Sequence, residues 1–146
     1  MVTDRIATTV APAQRGALWL WVLRLVSAGL LLGIGWIHYD LYHGGYSGIP
    51  VIGPAFLLNA IGGVILAVGV VGTPRRFLAV VTTLSWLFTV GTLLALVLSL
   101  TLPDGIFGFR EDISAPQVTT AIWVESAAIL ELAAFTLVAW RLTKKR

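Results

Sequence analysis

Residues 77–102 read FLAVVTTLSWLFTVGTLLALVLSLTL, a run in which no acidic or basic side chain occurs. The hydrocarbon core of a lipid bilayer is about 30 Å thick, and a helix needs about 20 apolar residues to cross it. This run is long enough for one crossing. We therefore predict that it forms a transmembrane helix.

The rest of the chain contains three more segments of similar length and apolar character, at residues 17–38, 51–72 and 118–140. Of the 146 residues, 58% are hydrophobic and only 12% are charged, whereas soluble domains have about 25% charged residues. These features predict an all-α fold, a membrane four-helix bundle in a single transmembrane domain. Residues 1–16, before the first span, are expected to form a flexible tail.

The basic residues indicate how the bundle is oriented. Eight of them lie at one end of the predicted spans: Arg5, Arg15, Arg75, Arg76, Arg141, Lys144, Lys145 and Arg146. At the opposite end there is only Arg110. Because Lys and Arg are retained on the cytoplasmic side of a membrane, we predict a multi-pass protein of the cell membrane with both termini in the cytoplasm.

Composition excludes several classes of function. The net charge of +3 comes from residues at the span ends rather than from a basic stripe with aromatic residues, so nucleic acid binding is not expected. The chain has no cysteine, which excludes disulfides, thiolate metal sites and a catalytic thiol. It also lacks a phosphate-binding glycine loop, a nucleophile elbow and a zincin helix, and we therefore favour a protein that is not an enzyme.

Small and hydroxylated residues indicate which faces of the helices meet. The first span carries the motif Gly29-x-x-x-Gly33, and the second carries Gly62 and Gly63. The third span has hydroxyl side chains along one face: Thr82, Ser85, Thr89, Thr92 and Ser99. Such residues let membrane helices approach closely, either within one chain or between chains. They predict the bundle interior, and they favour a homo-oligomer or a membrane-protein partner, in addition to lipid contacts.

Three ionisable residues interrupt the apolar spans: Arg24, Glu125 and Glu131. Charged groups inside a membrane need partners, because leaving one unpaired costs at least about 2.5–3.5 kcal/mol. With a rise of about 1.5 Å per residue, Arg24 and Glu131 lie at similar depths in the cytoplasmic half. We predict that they form an interhelical ion pair.

Glu125 lies in the outer half of the fourth span and requires a different partner. Asn59 in the second span is at a similar depth, and His38 ends the first span. We predict that these three residues form one outer polar cluster. It is either a satisfied group that fixes helix packing or a site for a ligand or a proton, since intramembrane carboxylates are frequently functional.

The run His38-x-Asp40-x-x-His43 at the outer surface is a weak candidate for a metal site. Two imidazoles and a carboxylate are suitable ligands, but their spacing matches no recognised metal motif. Haem is a further alternative, although a bundle usually supplies its two histidines from facing helices, and both histidines here belong to one helix. The sequence therefore specifies no cofactor, and the absence of any is favoured.

Four short stretches follow one another from the end of the first span into the second: Ile37-His38-Tyr39-Asp40-Leu41-Tyr42, Gly45-Tyr46, Ile49-Pro50-Val51-Ile52-Gly53 and Phe56-Leu57-Leu58-Asn59. Together they resemble a recurring pattern in small four-span membrane proteins of actinobacteria. The resemblance implies the four-helix membrane fold and an actinobacterial cell membrane, and it implies no activity. It connects His38, Asp40, Tyr46, Pro50 and Asn59 as one outer region.

These patterns favour the first of three functions, and the second and third are alternatives to it. The first is an accessory or structural subunit, or an oligomeric membrane component, held through its small-residue faces. The second is binding or transport of a small ligand, such as a quinone, a lipid or a proton, through the outer site; its candidate residues are His38, Asn59, Glu125, Asp40 and Tyr46. The third is a redox protein with haem or a metal.

Overall fold

The computed structural model describes residues 12–144, with side chains from residue 16 onward. It contains four long helices: α1 (Pro12–His43), α2 (Ile52–Gly72), α3 (Leu78–Thr101) and α4 (Val118–Lys144). Two short 3-10 turns, Tyr46–Gly48 and Arg75–Phe77, lie in the first and second connections. The predicted all-α four-helix bundle is confirmed, and all four helices are long and apolar enough to cross a membrane.

The helix limits differ from the predicted spans mainly in α1. The first eleven residues of the predicted tail lie outside the described part of the chain, and residues 12–16 form the first turn of the helix. At its other end α1 continues five residues beyond His38, up to His43. It stops at a glycine pair, where the Gly44 amide donates to the Asp40 carbonyl (2.8 Å) and Gly45 takes a positive φ of 133°. Glycine adopts this conformation without steric cost.

Neighbouring helices run antiparallel. Helix α1 packs against α2 and α4, and α3 packs against α4 and α2. The bundle therefore has two different ends. We call the end that carries connections 44–51 and 102–117 the loop end, and the end where α1 begins and α4 finishes the terminal end.

Helices α1 and α2 approach each other through glycines. A Cβ atom on Gly63 would lie 2.7 Å from the Leu31 carbonyl oxygen, and one on Gly35 would lie 3.0 Å from the Ala60 carbonyl oxygen. Any larger side chain would push the two backbones apart. The predicted use of small residues for close packing is thus confirmed for Gly63, whereas a Cβ on Gly29 would meet nothing within 4 Å.

The hydroxyl stripe of α3 faces the interior, as predicted. Its five members are all buried: Thr82, Ser85, Thr89, Thr92 and Ser99. Each donates a hydrogen bond to a carbonyl of its own helix, with distances between 2.8 and 3.2 Å. Thr92 also reaches another helix, as described below. For the most part the stripe is therefore satisfied locally and provides packing surface.

The outer surface of the bundle is apolar. Leu58 on α2 is 69% exposed, Val68 on the same helix is 67% exposed, and Leu130 on α4 is 74% exposed. Water-soluble monomers rarely expose large contiguous apolar areas. A surface of this kind suits a lipid environment, which needs no polar exterior.

Candidate ligand site at the loop end

A cavity of about 110 Å³ lies between the helices at the loop end. Residues from all four helices and from connection 102–117 line it, mostly with apolar side chains. The polar lining consists of six side chains: His38, Asn59, Thr92, Ser99, Glu111 and Glu125. A cavity of about 150 Å³ can hold a benzene molecule, so this smaller space limits an enclosed group to at most about one ring.

Connection 102–117 folds over the end of the bundle and forms part of the cavity wall. Ile106 and Phe109 exchange two backbone hydrogen bonds of 2.9 Å across a tight turn. The Glu111 amide then donates to the Ser99 carbonyl at the end of α3 (3.1 Å), which holds the connection against the helix. Gly105 has a positive φ of 64°, and an added Cβ there would collide with the Phe109 carbonyl. The connection therefore has a defined shape.

Glu125 is the most unusual residue of this cavity. Its side chain is only 1% exposed, and its Oε2 atom has no hydrogen-bond partner. Of the described residues that line the cavity, none is Lys or Arg. A buried carboxyl oxygen without a donor is costly, because it has lost its hydrogen bonds to water and gained no other in their place. Oε2 is therefore available to accept a hydrogen bond from a ligand, and the ionised carboxylate can also bind a positive charge.

His38 lies on the α1 side of the same cavity and is 7% exposed. Its Nδ1 atom is 2.9 Å from the Ile34 carbonyl oxygen, and its ring packs on Phe56 with centroids 5.0 Å apart. A carbonyl oxygen only accepts, so Nδ1 carries the hydrogen and donates. In the neutral ring Nε2 is then the unprotonated nitrogen, so this cavity-lining residue carries a second possible acceptor.

Asn59 completes the predicted outer cluster, because it lines the cavity with His38 and Glu125. Its Oδ1 atom lies 3.0 Å from the Thr92 hydroxyl, whose single hydrogen is shared between Asn59 Oδ1 and the Phe88 carbonyl oxygen; this contact ties α2 to α3. Within the described chain, no hydrogen bond links His38, Asn59 and Glu125 to one another. The structure thus brings the three residues to one cavity without satisfying them among themselves.

No family model, curated protein or solved structure matches this chain.

Tyr46 lies beside the cavity and fixes its rim. Its ring stacks on Phe56 with centroids 4.8 Å apart and meets the edge of Phe109 at 5.7 Å. Its hydroxyl donates to Glu111 Oε2 at 2.9 Å. Burial, together with the hydrogen bond and the negative charge of Glu111, raises the pKa of Tyr46 to about 12. The protonated tyrosine therefore links connection 44–51 to connection 102–117.

Asp40 and His43 do not join the cavity. Both are exposed on α1; Asp40 accepts a hydrogen bond from the Gln117 side chain, and the His43 ring packs against Tyr39 with centroids 4.5 Å apart. Within residues 12–144, no group of three or more His, Asp or Glu side chains is placed to hold a metal ion. His38 faces inward while the other two residues face outward, so the three candidate metal ligands are not brought together.

The predicted ion pair between Arg24 and Glu131 is not formed, although the structure describes both side chains. Arg24 donates to three backbone carbonyls at the end of α2: those of Val70 (2.7 Å), Val71 (2.6 Å) and Thr73 (2.7 Å). Glu131 accepts from the Ser27 hydroxyl at 2.8 Å. The last carbonyls of a helix have no partner within it and carry partial negative charge, which offers Arg24 closer acceptors than the carboxylate.

Sequence reasoning missed Glu111 and the aromatic wall. The sequence patterns assign no role to Glu111, yet it lines the cavity and accepts a hydrogen bond from Tyr46. Phe56 and Phe109 looked like ordinary apolar residues. A usable signal was the concentration of Gly, Pro and Asp in residues 103–112, which indicates a shaped connection rather than a loose one.

Backbone strain is also concentrated at the loop end. Within the described chain, three residues other than glycine have positive φ: Val51 (66°), Phe107 (53°) and Gln117 (63°). Phe107 lines the cavity, and Val51 and Gln117 directly precede the lining residues Ile52 and Val118 in the chain. Such conformations cost about 1–3 kcal/mol each and tend to occur near functional sites. The strained backbone positions therefore coincide with the cavity, which is the candidate functional site.

Proposed function

We propose that this protein is a multi-pass protein of the cell membrane that binds a small ligand reversibly in the loop-end cavity. The observation that carries the proposal is Glu125, a carboxylate that is 1% exposed and has an unpartnered oxygen in a residue lining a cavity of about 110 Å³. A carboxylate retained only for packing would be expected to hold a donor from a neighbouring helix. Here that donor is left for a ligand to supply.

The alternative interpretation of the outer cluster, a satisfied polar group that fixes packing, has less support. His38 and Asn59 are each engaged elsewhere, with Ile34 and Thr92 respectively. Neither donates to Glu125. The cluster therefore includes an unpartnered acceptor, Glu125 Oε2, in a residue that lines the cavity. This arrangement is typical of a binding site rather than of a fully hydrogen-bonded group.

The proposed orientation places the termini in the cytoplasm and the loop end outside. It is supported by the sequence distribution of Lys and Arg, which favours the terminal end. With this orientation the ligand enters from the outer leaflet or from outside the cell. The resemblance to small four-span membrane proteins of actinobacteria is compatible with that location.

An accessory or oligomeric role rests on the small-residue faces. Gly35 and Gly63 are already used inside the chain, where they set the contact between α1 and α2. Their packing therefore needs no second protein to explain it. For this reason we favour ligand binding as the function.

The proposal is tested by filling the cavity. Ala121 lines it, is 5% exposed and lies one turn before Glu125 on α4. We expect Ala121→Leu to weaken the binding of benzyl alcohol, a neutral ring-sized probe, by at least about tenfold, since no space for the ring remains. Binding is measured by ligand-observed NMR on the full-length protein in lipid nanodiscs.

Ala134→Leu is the matched control, because Ala134 is an exposed alanine on the same helix, away from the cavity. It should bind benzyl alcohol like the unmodified protein. Equal binding by the unmodified protein and the Ala121→Leu variant would refute the proposed site.

A further inference from the structure

We propose that the ligand of the loop-end cavity is a small organic ammonium ion with a ring-sized apolar body, and that it exchanges for a proton on Glu125. This inference rests on the proposed function and names the class of ligand. It follows from three features of the cavity: its charge, its acceptors and its walls.

The charge of the cavity favours a cation. Glu125 is its most buried carboxyl group, and the titratable groups that share the cavity with it are His38 from α1 and Glu111 from connection 102–117. The lining residues of α2 and α3 include no titratable group, and α4 contributes none besides Glu125. An ionised carboxylate in an apolar site requires a compensating positive charge. Within this lining, a bound cation or a proton must supply it.

The hydrogen-bonding groups favour a cation that carries several N–H donors. Glu125 Oε2 is an unpartnered acceptor. His38 adds its Nε2 lone pair, because Nδ1 already donates to Ile34. An ammonium group has three N–H donors and no acceptor, which complements two acceptors at one cavity. A bare metal ion is a poorer fit, since hard cations need about six oxygen ligands and most of the lining is apolar.

The walls favour an apolar body on the cation. Phe56, Phe107 and Phe109 line the cavity, together with aliphatic side chains from α1 and α2. Aromatic faces attract ammonium groups, and the remaining surface gains from burying a hydrocarbon ring. The volume of about 110 Å³ limits that body to about one ring.

Proton exchange follows from this arrangement. With the cavity empty, a proton on Glu125 removes the uncompensated charge. The ammonium ion binds the ionised carboxylate, so the proton must leave when the ligand enters. By linkage, ligand affinity then rises with pH as long as Glu125 holds the proton in the unliganded protein and the free ligand remains an ammonium ion.

The test uses benzylamine and benzyl alcohol, which share a ring and differ in the ammonium group. Both are titrated calorimetrically into the full-length protein in nanodiscs of zwitterionic lipid, in buffers of different ionisation enthalpy. We expect the apparent Kd of benzylamine to fall about tenfold for each unit of pH increase, with about one proton released per molecule bound. Benzyl alcohol should bind more weakly and release no proton.

Glu125→Gln keeps the shape of the side chain and removes its charge. In this variant we expect the preference for benzylamine and the proton release to disappear while benzyl alcohol still binds. Glu131→Gln is the matched control, because Glu131 is the other carboxylate of α4 and does not line the cavity; it should retain both properties.

The possible failures are distinguishable. Binding of benzylamine without proton release by the unmodified protein, or with equal affinity in Glu125→Gln, would overturn the ammonium class and leave the proposed site standing. If neither probe binds the unmodified protein, the proposed function itself fails. Because proton release is measured on the unmodified protein, the inference remains testable even if Glu125→Gln does not fold.

Discussion

The hydrogen bonds of Arg24 lead to a quantitative prediction for Arg24→Met. Arg24 is 5% exposed, and its guanidinium group donates to the carbonyls of Val70, Val71 and Thr73 at distances of 2.6 to 2.7 Å. The last turn of α2 itself contains no basic residue, and Arg24 of α1 donates to its carbonyls from the neighbouring helix. Methionine has a similar apolar stem and removes all three donors.

The expected loss can be estimated from these bonds. Side-chain hydrogen bonds between membrane helices are worth about 0.6–1.7 kcal/mol each, so three of them together contribute about 2–5 kcal/mol. Removing a buried charge also removes its desolvation cost, which offsets part of this amount. We therefore expect Arg24→Met to lower the free energy of unfolding by about 2–3 kcal/mol.

The assay is reversible unfolding of the full-length chain in mixed micelles with increasing SDS, followed by circular dichroism. Arg24→Lys retains a positive charge but is a compact group that cannot spread over three carbonyls, so an intermediate loss is expected. A loss below about 0.5 kcal/mol for Arg24→Met would refute the role of Arg24 in tying α1 to the end of α2.

A double-mutant cycle with Glu131→Gln separates this arrangement from an ion pair. Glu131 accepts from Ser27 and makes no ion pair with Arg24, so the two substitutions should be additive to within about 0.5 kcal/mol. A coupling energy well above that value would show that the pair forms in the membrane after all.

Two further predictions concern the glycine contact and the rim of the cavity. Gly63→Ala places a Cβ 2.7 Å from the Leu31 carbonyl oxygen and should destabilise the bundle by about 1–3 kcal/mol in the same assay, whereas Gly29→Ala, which meets nothing within 4 Å, should leave stability unchanged. The stability contributed by protonated Tyr46 is complete below about pH 10, the pKa of an unfolded tyrosine, and is lost as the pH rises through its folded pKa of about 12. Tyr46→Phe has no hydroxyl to titrate and should lose the bond to Glu111, so its unfolding free energy should start lower and fall less across that alkaline range. An identical alkaline decline in both proteins would exclude Tyr46 as its source.

The helices were predictable because the signal for them is local. A span such as 77–102 is defined by the absence of charge over the thickness of a bilayer, and this property belongs to the segment itself. The interior stripe of α3 was predictable for a similar reason, since residues three and four apart share a helix face whatever surrounds it. Both predictions are confirmed by the structure.

The partners of the polar residues depended on the packing of the helices. Matching depths placed Glu131 near Arg24, and the carboxylate does meet Ser27, one turn away on α1. Depth gives the level of a residue but not its direction around the helix axis. The carbonyls that Arg24 binds are also invisible in the sequence, since every residue has one and only the end of a helix leaves it free.

By itself, the sequence determined that this chain forms four apolar helices and that His38, Asn59 and Glu125 lie at one level near one end. Only the tertiary structure decided that these residues surround a cavity, that an oxygen of Glu125 has no partner, and that Glu111 and Tyr46 close the rim. The physical reason is that a cavity exists where side chains from different elements fail to fill the space between them. That failure is a property of the assembled bundle and of no single segment.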